Sequence, residues 1–282
     1  MSSDLRRAAV LGSPVAHSLS PVLHGAAYAE LGLADWTFER IEVDAAGLPG
    51  LVGGLGPEWA GLAVTMPGKR AALAFAGSRT TRAEAVGAAN TLVRVGDGWR
   101  ADCTDVDGVT GALTAAGYRP SAGPALVLGA GGTAAAALAG LASLGVRDVT
   151  IVVREPARAA ETVRTASRVG LAVDVSRWAD ADLRSVAGGC AVVVSTVPAV
   201  AVEPHAVDIA VAPCVLDVIY HPWPTVLSQS VAAAGGRLAT GLDMLLHQAF
   251  GQVEQFTGKP APREAMRVAL KSATGTTLPL PL

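Results

Sequence analysis

The segment Pro124 to Leu144, PALVLGAGGTAAAALAGLASL, leaves the chain few choices. Ala125 to Leu128 is an apolar run as long as one buried strand. Gly129, Gly131 and Ala134 then spell G-x-G-x-x-A, and the alanine- and leucine-rich residues from Thr133 onward favour a helix. Strand, glycine turn and helix in that order predict a βα unit of a dinucleotide site. The first glycine permits the turn, the second lets a pyrophosphate reach the main chain, and the alanine brings helix and strand together. The helix start offers unpaired N–H groups to phosphate oxygens. The blander reading is a structural strand–helix turn in a chain with 32 glycines.

The same stretch must be tested as a membrane segment. No charge occurs from Pro120 to Val146, a length that could span a bilayer. Pro124, Gly129, Gly131 and Gly132 would break such a helix, and buried parallel strands also read as unbroken apolar runs. The opening residues MSSDLRRAAVLGSP hold no apolar stretch long enough for a signal peptide. No membrane association is expected. The 282 residues suffice for two medium domains, and 51% hydrophobic against 16% charged residues allows a large core. With a net charge of −2 and no lysine-rich tract, nucleic acid is not an expected partner. Cys103, Cys190 and Cys214 are odd in number and form no C-x-x-C, which suggests neither disulfides nor zinc and fits a reducing cytoplasm. Cys190 and Cys214 lie in apolar runs and read as core. No repeat is present, and Thr277 to Leu282 are expected to fray.

Taken in order, Ala8 to Gly12 reads as a strand that ends in the loop SPVAHSLSP. Ser20 is the expected N-cap, with Pro21 at N1, of a helix reaching about Leu31. Trp36 to Val43 alternates as a strand, Leu48 to Leu55 is a short helix, and Gly61 to Thr65 is a strand broken by Met66-Pro67. Lys69 to Phe75 is a helix. Asn90 to Val95 and Trp99 to Asp102 form a hairpin about Gly96-Asp97-Gly98. A helix from Asp105 to Ala116 leads to a loop-rich connector, Gly117 to Gly123 with Pro120 in it, where the pattern suggests a division. Beyond the glycine unit come strand Val149 to Val153, helix Pro156 to Val169, a strand near Ala172 to Val175 and helix Ala181 to Val186. Strands Ala191 to Ser195 and Val215 to Ile219 follow, then a helix from Pro224 to about Ala234. This alternation implies a parallel, doubly wound sheet. Gly241 to Thr257 and Pro262 to Ala273 are helices that need a surface to cover.

Several residues could carry chemistry. Ser18 and Ser20, two apart in an extended segment, point the same way at a helix start and suit a carboxylate; alternatively Ser20 merely caps. His17 and His24 read as structural or surface residues. Lys69 follows a strand end and the Thr65-x-Pro67 break, where a lysine can serve as general acid or base or be only a solvated helix start. Gly68-Lys69 is not a P-loop, because Ala63 and Arg70 stand where glycine and Ser/Thr are required. Asp102, Asp105 and Asp107 crowd one turn, without a histidine and without calcium-loop spacing, so no metal is expected; Asp105 could simply cap its helix. Asn90 stands at a strand start, where its amide could bond a substrate hydroxyl. After the second strand of the nucleotide unit come Arg154, Glu155, Pro156 and Arg158. Arginines there accommodate a ribose 2′-phosphate, whereas an acid selects the 2′-hydroxyl of NAD. Met244 and Gln248, i and i+4, share a helix face, and Tyr220 follows a strand end on the ligand-facing side of an open sheet.

Taken together these pieces resemble the shikimate dehydrogenase family, which includes the quinate/shikimate dehydrogenases. The resemblance is carried by GSPVAHSLSP (12–21), GLAVTMPGK (61–69), GAANTL (87–92), Thr104-Asp105, GAGGTA (129–134), STVP (195–198), LDVIYHPWPT around Tyr220 and GLDMLLHQAF (241–250), in family order over nearly the whole chain. It implies an α/β protein of two domains: a substrate domain, 1–105 completed by 241–282, and a Rossmann-type domain, 106–240, that binds NADP. It implies reversible reduction of 3-dehydroshikimate to shikimate in aromatic amino acid biosynthesis, by a monomer or homodimer. Ser18 and Ser20 would hold the substrate carboxylate, and Thr65, Asn90, Asp105 and Gln248 its hydroxyls, with Tyr220 beside them. Lys69 and Asp105 would be the catalytic pair. Gly129, Ala130, Gly131, Gly132 and Thr133 would cradle the pyrophosphate, with Arg154, Arg158, Thr196, Val197, Gly241 and Met244 completing the cofactor site. One departure stands out. Where the family reads Asn-Arg-Thr, this chain reads Val153-Arg154-Glu155, which keeps the arginine and adds an acid. NADP is the expected cofactor, with NAD the lesser alternative.

Three other readings compete. An NAD-preferring quinate/shikimate dehydrogenase is disfavoured by Ser18, where quinate-accepting relatives carry threonine. A catalytically silent nucleotide sensor on the same fold would not need both Lys69 and Asp105. An S-adenosylmethionine-dependent methyltransferase would leave the two-serine loop and Lys69 without a role.

Overall fold

Strand burial sorts the chain into two different sheets. Ala125–Leu128, Val192–Ser195 and Cys214–Asp217 are buried at every position, as strands covered on both faces must be. Trp36–Glu42 has no buried residue and varies along its length, as an edge strand does. The computed structural model describes residues 5–119, 123–275 and 278–282, so Pro120 of the connector and Thr277 of the tail lie outside the described residues.

In chain order the elements are β1 (Arg6–Gly12), α1 (Ser20–Glu30), β2 (Trp36–Glu42), α2 (Leu48–Gly53), β3 (Trp59–Val64), α3 (Lys69–Phe75), β4 (Ser78–Arg79), α4 (Thr81–Val86), β5 (Thr91–Val95) and β6 (Gly98–Asp102). Then come α5 (Asp105–Ala115), β7 (Ala125–Leu128), α6 (Gly132–Ser143), β8 (Asp148–Val153), α7 (Ala160–Arg168), β9 (Ala172–Arg177), α8 (Leu183–Gly188) and β10 (Val192–Ser195). The remainder is α9 (Ala199–Val202), α10 (Ala206–Ile209), β11 (Cys214–Asp217), α11 (Val226–Ala233), β12 (Arg237–Thr240), α12 (Gly241–Thr257) and α13 (Arg263–Thr274). One compact unit takes the chain through Thr104 and again from Leu245; the other takes Asp105–Met244.

The first unit is built on a mixed sheet in the order β2-β1-β3-β5-β6-β4. β1 pairs with β2 and β3 in parallel, and β5 runs antiparallel to both β3 and β6. One face buries Leu11, Leu62, Val64, Leu92 and Trp99 with Leu48 and Val52 of α2 and Ala72 of α3. On the other face Ala8 and Val93 meet Phe256 of α12. Gly61 makes that contact possible, because a Cβ there would collide with the Phe256 ring. α1 packs against α13, so the unit is closed by helices that follow the second unit in sequence.

The second unit is all parallel, in the order β12-β11-β10-β7-β8-β9. Numbered within the unit, this is the 3-2-1-4-5-6 order of a doubly wound dinucleotide fold. Val127, Val192, Val194 and Leu216 face the core shared with α5, α6 and α7, while Leu126, Leu128, Val193 and Val215 face the other side. α5 packs against α6 and belongs here, although the loop-rich connector that follows it had suggested a division there.

Departures from the sequence reading have local causes. Leu19, not Ser20, caps α1: Ser20 is already the first helical residue, and its hydroxyl oxygen accepts from Ser18 Oγ. Asp105 is the first residue of α5 rather than its cap. The expected helix from Pro156 starts as a 3₁₀ turn, Pro156–Ala159, in which Arg158 N donates to Glu155 O, and only then becomes α7. β4, α4, α9, α10 and β12 were not anticipated. α4 does carry its signals, a Thr80 cap that accepts from Ala83 N and Gly87 at φ 73°. β12 reads as RLAT and becomes a strand by parallel pairing with β11.

The Asp102 carboxylate, a candidate for chemistry in the sequence, is structural. It accepts from Arg82 Nε at 2.6 Å and Nη2 at 2.5 Å, Thr80 Oγ1 at 2.6 Å, Cys103 N at 2.8 Å and Gln255 Nε2 at 2.8 Å. Burial pushes its pKa up, but the bonds from Arg82, Thr80 and Cys103 outweigh this and hold it below the ordinary 3.8. Its stabilisation is therefore complete above pH 3.8 and fades as pH falls through the lower folded value. Asp102→Asn sets an NH₂ against these donors and is expected to cost about 2 kcal/mol, since Arg82 is partly solvated. Urea unfolding near neutrality and at about pH 3 checks this; the gap from wild type should narrow in acid.

Candidate functional site

The carboxyl ends of β1 and β3 lie side by side, since Leu11 pairs with Val64 in parallel. The loops that leave them are bound together. Ser13 N donates to Met66 O at 3.0 Å, and Gly12 lies so close to Thr65 that a Cβ would strike its methyl group. The first loop carries Ser18 and Ser20, whose hydroxyl oxygens are 3.3 Å apart. Ser20 N donates to Ser18 Oγ at 3.3 Å and Val22 N to Leu19 O at 3.1 Å, and Pro21 has no N–H, so the serine hydroxyls rather than free main-chain donors mark the start of α1. Arg40 of β2 donates to Ser18 O through Nε at 3.0 Å and Nη2 at 2.6 Å, fixing the loop and bringing a positive charge to it. The second loop carries Thr65 and delivers Lys69, half-buried, at the start of α3. Ala89 N donates to Lys69 O at 2.9 Å, which ties α3 to the residue before Asn90.

Asn90 reaches the same edge because β5 runs antiparallel to β3, with Thr91 opposite Ala63. Its side chain is 3% exposed overall and bonded in every direction. Oδ1 accepts from Thr104 N at 2.7 Å and Thr91 Oγ1 at 2.9 Å. Nδ2 donates to Thr104 Oγ1 at 3.0 Å and to Gln248 Oε1 at 3.1 Å. The first unit thus gathers Ser18, Ser20, Thr65, Lys69, Asn90 and Gln248 through the sheet edge and α12. Asp105 opens α5 in the second unit, directly after Thr104. His17 is exposed, whereas His24 is fully buried and stacked on Phe38 at 4.0 Å.

In the second unit the glycine loop leaves β7 as the sequence demanded. Gly129 has φ 106°, and a Cβ there would meet Thr196 Oγ1 at 2.5 Å and Val197 Cγ1 at 3.0 Å. Thr196 Oγ1 donates to Leu128 O at 2.8 Å, so Thr196 and Val197 at the end of β10 close one side of the turn. Thr162 Oγ1 donates to Ala130 O at 2.8 Å. Gly131 caps α6 with an extended backbone and no side-chain bond, and a Cβ on it would enter open space. Gly132 and Thr133 begin the helix, and Ala134 is fully buried against the sheet. Open space above an uncapped helix of 12 residues fits a pyrophosphate. Arg154, Glu155 and Arg158 are exposed just after β8, beside the loop. Arg154 and Arg158 offer two cations to a 2′-phosphate, with the Glu155 carboxylate among them.

Asp217 ends β11 and accepts from Thr225 Oγ1 at 2.6 Å and Ile219 N at 3.3 Å, which shapes the turn leading to Tyr220. Burial pushes both the Asp217 carboxyl and the Tyr220 phenol up. Gly241 starts α12 against the Val218 carbonyl, where a Cβ would collide, and Met244 is buried in the core of this unit. Burial alone raises the Cys190 and Cys214 thiols to about 11, Cys214 despite Arg237, as core cysteines require. Among the described residues no three His, Cys, Asp or Glu side chains gather as a metal would need, and no helix is long and apolar enough to cross a membrane.

Sequence reasoning missed Arg40, Thr91 and Gln252. Arg40 sits in an ordinary alternating strand, and only the fold brings it to Ser18. Gln252 had a signal: it lies one turn beyond Gln248 on the same helix face.

Comparison with known proteins converges on one family. Residues 10–92 match the family described as shikimate dehydrogenase substrate binding domain, and residues 241–271 that described as shikimate 5′-dehydrogenase C-terminal domain. The chain is similar to shikimate dehydrogenase (NADP(+)) of Methylobacterium radiotolerans, at 39% identity over 272 residues that cover 93% of this chain and 95% of the relative. The crystal structure of Mycobacterium tuberculosis shikimate dehydrogenase superposes with a TM-score of 0.89 at 57% identity, covering 95% of this chain and 99% of that one. Shikimate 5-dehydrogenase from Thermus thermophilus in complex with NADP(H) and shikimate gives a TM-score of 0.79 at 31% identity, covering 95% and 99%.

The two loop glycines should respond oppositely to a methyl group. Gly129→Ala forces a left-handed alanine into Thr196 and is expected to cost about 2 kcal/mol or more. Gly131→Ala, in open space and an extended backbone, should cost about 1 kcal/mol at most. Thermal melts of the two variants check this.

Proposed function

The chain belongs to the shikimate dehydrogenase family, and from that premise we propose that it catalyses the reversible, NADP-linked reduction of 3-dehydroshikimate to shikimate in aromatic amino acid biosynthesis. The observation that supports this most is the gathering of two serines, a threonine, a lysine, an asparagine and a glutamine at one sheet edge of the first unit. Residues 1–105 with 241–282 serve the substrate, and 106–240 the cofactor. Cys103, Cys190 and Cys214 are buried and form no disulfide, which suits a reducing cytoplasm.

The substrate is a small polyol acid. Its carboxylate lies against the Ser18 and Ser20 hydroxyls, with Arg40 behind the loop. Thr65, Asn90 and Gln248 take its hydroxyls. Because all the bonding capacity of the Asn90 amide is engaged, a ring hydroxyl enters by replacing the Asn90–Gln248 bond, accepting from Asn90 Nδ2 and donating to Gln248 Oε1. Tyr220 borders the ring.

Bound NADP(H) supplies or accepts the hydride at the carbinol carbon. The residues of the chain handle the proton. Lys69 Nζ, as ammonium, polarises the carbonyl and gives the nascent alkoxide its proton in reduction; as neutral amine it takes that proton back in oxidation. Asp105 orients the lysine and holds the adjacent hydroxyl. Holding the substrate at both ends keeps its reacting carbon in attacking geometry. Gly129, Ala130, Gly131, Gly132 and Thr133 receive the pyrophosphate, Arg154 and Arg158 the 2′-phosphate, and Thr196, Val197, Gly241 and Met244 line the nicotinamide side. Glu155 is the feature that favours a second reading, an NAD-preferring quinate/shikimate dehydrogenase, by repelling a 2′-phosphate.

Shikimate-dependent reduction of NADP⁺, followed by absorbance, tests the activity; none would refute it. Lys69→Ala should lower kcat by about 10²–10⁴-fold with little change in KM, the range of a lost general acid or base. Comparing kcat/KM for NADP⁺ and NAD⁺ in wild type and Glu155→Thr checks the cofactor: NADP⁺ should be preferred, and more so in the variant.

A further inference from the structure

His24 poses a problem that the proposed chemistry does not solve. It is fully buried, stacked against Phe38 and Phe256, and its Nδ1 has no hydrogen-bond partner among the described residues. A buried, unmatched acceptor costs stability, and a phenylalanine would fit the same stack without that cost. Burial lowers its pKa to about 3 against the opposing effect of Gln252, so the ring is neutral and carries one N–H.

The direction of the surrounding bonds is fixed by main-chain groups. Gln252 Nε2 donates to Asn90 O at 3.1 Å and to Thr91 Oγ1 at 3.1 Å. A carbonyl can only accept, so the NH₂ of Gln252 faces Asn90 and its Oε1 faces His24 Nε2 at 3.4 Å. His24 therefore holds its proton on Nε2. The Thr91 hydroxyl, accepting from Gln252, has Asn90 Oδ1 at 2.9 Å and Thr104 Oγ1 at 3.1 Å within reach. Thr104 Oγ1 accepts from Asn90 Nδ2, and the Thr91 hydroxyl donates onward to the nearer oxygen, Asn90 Oδ1. Thr104 N, which can only donate, points to that same oxygen at 2.7 Å. Asn90 must then turn its NH₂ to Gln248 Oε1, and Gln248 turns its own NH₂ to Leu245 O at 3.0 Å.

We propose that Gln252 is a positioning residue: held by the Nε2–H of His24, it sends a one-way chain of hydrogen bonds through Thr91 that makes Asn90 present its NH₂, and Gln248 its carbonyl oxygen, to a hydroxyl of the substrate. This rests on the shikimate reading of the site for its substrate and on the geometry alone for its direction. It explains why a core histidine with an orphaned nitrogen is kept where an apolar ring would pack. It also makes the site selective. A hydroxyl can accept from Asn90 and donate to Gln248 together, whereas a ligand with hydrogen or a keto oxygen at that position can do at most one.

Gln252→Met retains length and volume, and Asn90 O keeps its bond from Val64 N at 2.7 Å, so packing and fold are preserved. The variant is expected to raise KM for shikimate about fivefold, the effect of one neutral hydrogen bond, with kcat within about twofold and KM for NADP⁺ unchanged. His24→Phe should raise KM for shikimate less and leave thermal stability equal or higher. Nitrogen-15 NMR of the wild-type protein, with the His24 signals identified by their loss in His24→Phe, should show a protonated Nε2 and a bare Nδ1. An Nδ1–H tautomer, or a folded Gln252→Met protein with wild-type KM, would overturn the proposal. The tautomer is read without substrate or mutant stability, so it decides even if Gln252→Met does not fold. Failure of the wild type to oxidise shikimate would instead refute the functional reading, which the tautomer does not touch.

Discussion

Parallel hydrogen bonding between neighbouring strands is the constraint on which the candidate site depends. Strands that run the same way must release their following loops at the same edge. In the first sheet that places the serine loop after β1 beside the Thr65–Lys69 loop after β3. In the second it places the glycine turn after β7, the arginines after β8 and Thr196-Val197 after β10 along one line. Antiparallel β5 then contributes from its beginning rather than its end, which is why Asn90 precedes a strand while the other loop residues follow one.

Within this frame polar side chains divide by what they bond. Asp102 is surrounded by five donors and is fully occupied with holding β6, α4 and α12 together. Asn90 is also saturated, but its bond to Gln248 joins two neutral amides, and a hydroxyl can replace it at little cost. A charged, donor-filled carboxylate is a fixed point, whereas a neutral amide pair can exchange partners. Sequence proximity placed Asp102 with Asp105 and Asp107; the surrounding donors separate it from them.

Strands and glycine turns were legible because burial and backbone geometry leave direct marks. The run Ala125–Leu128, the glycines after it and the alternation of the second unit led to the sheet that is present. Ser18, Ser20, Lys69 and Asn90 were legible as candidates because each stands at a strand or helix end. Less could be read where partners came from far along the chain. Arg40 meets Ser18 only through parallel pairing of β1 with β2, and Gln252 meets Thr91 across 161 residues. The capping role given to Ser20 erred because the helix begins one residue earlier, with Ser20 inside its first turn. Short elements such as β4 and α9 have no periodicity to read, and they form because longer neighbours support them.

The seat that Gly61 leaves for the Phe256 ring has a consequence for biosynthesis. On that side α1 covers only part of the sheet of the first unit, and the seat stays empty until α12 and α13 have been made, after the whole of Asp105–Met244 has emerged. The polypeptide begun later can therefore mature earlier, reversing the usual order on the ribosome. Until then the nascent amino-terminal half presents an apolar surface, on which a chaperone would find its longest window.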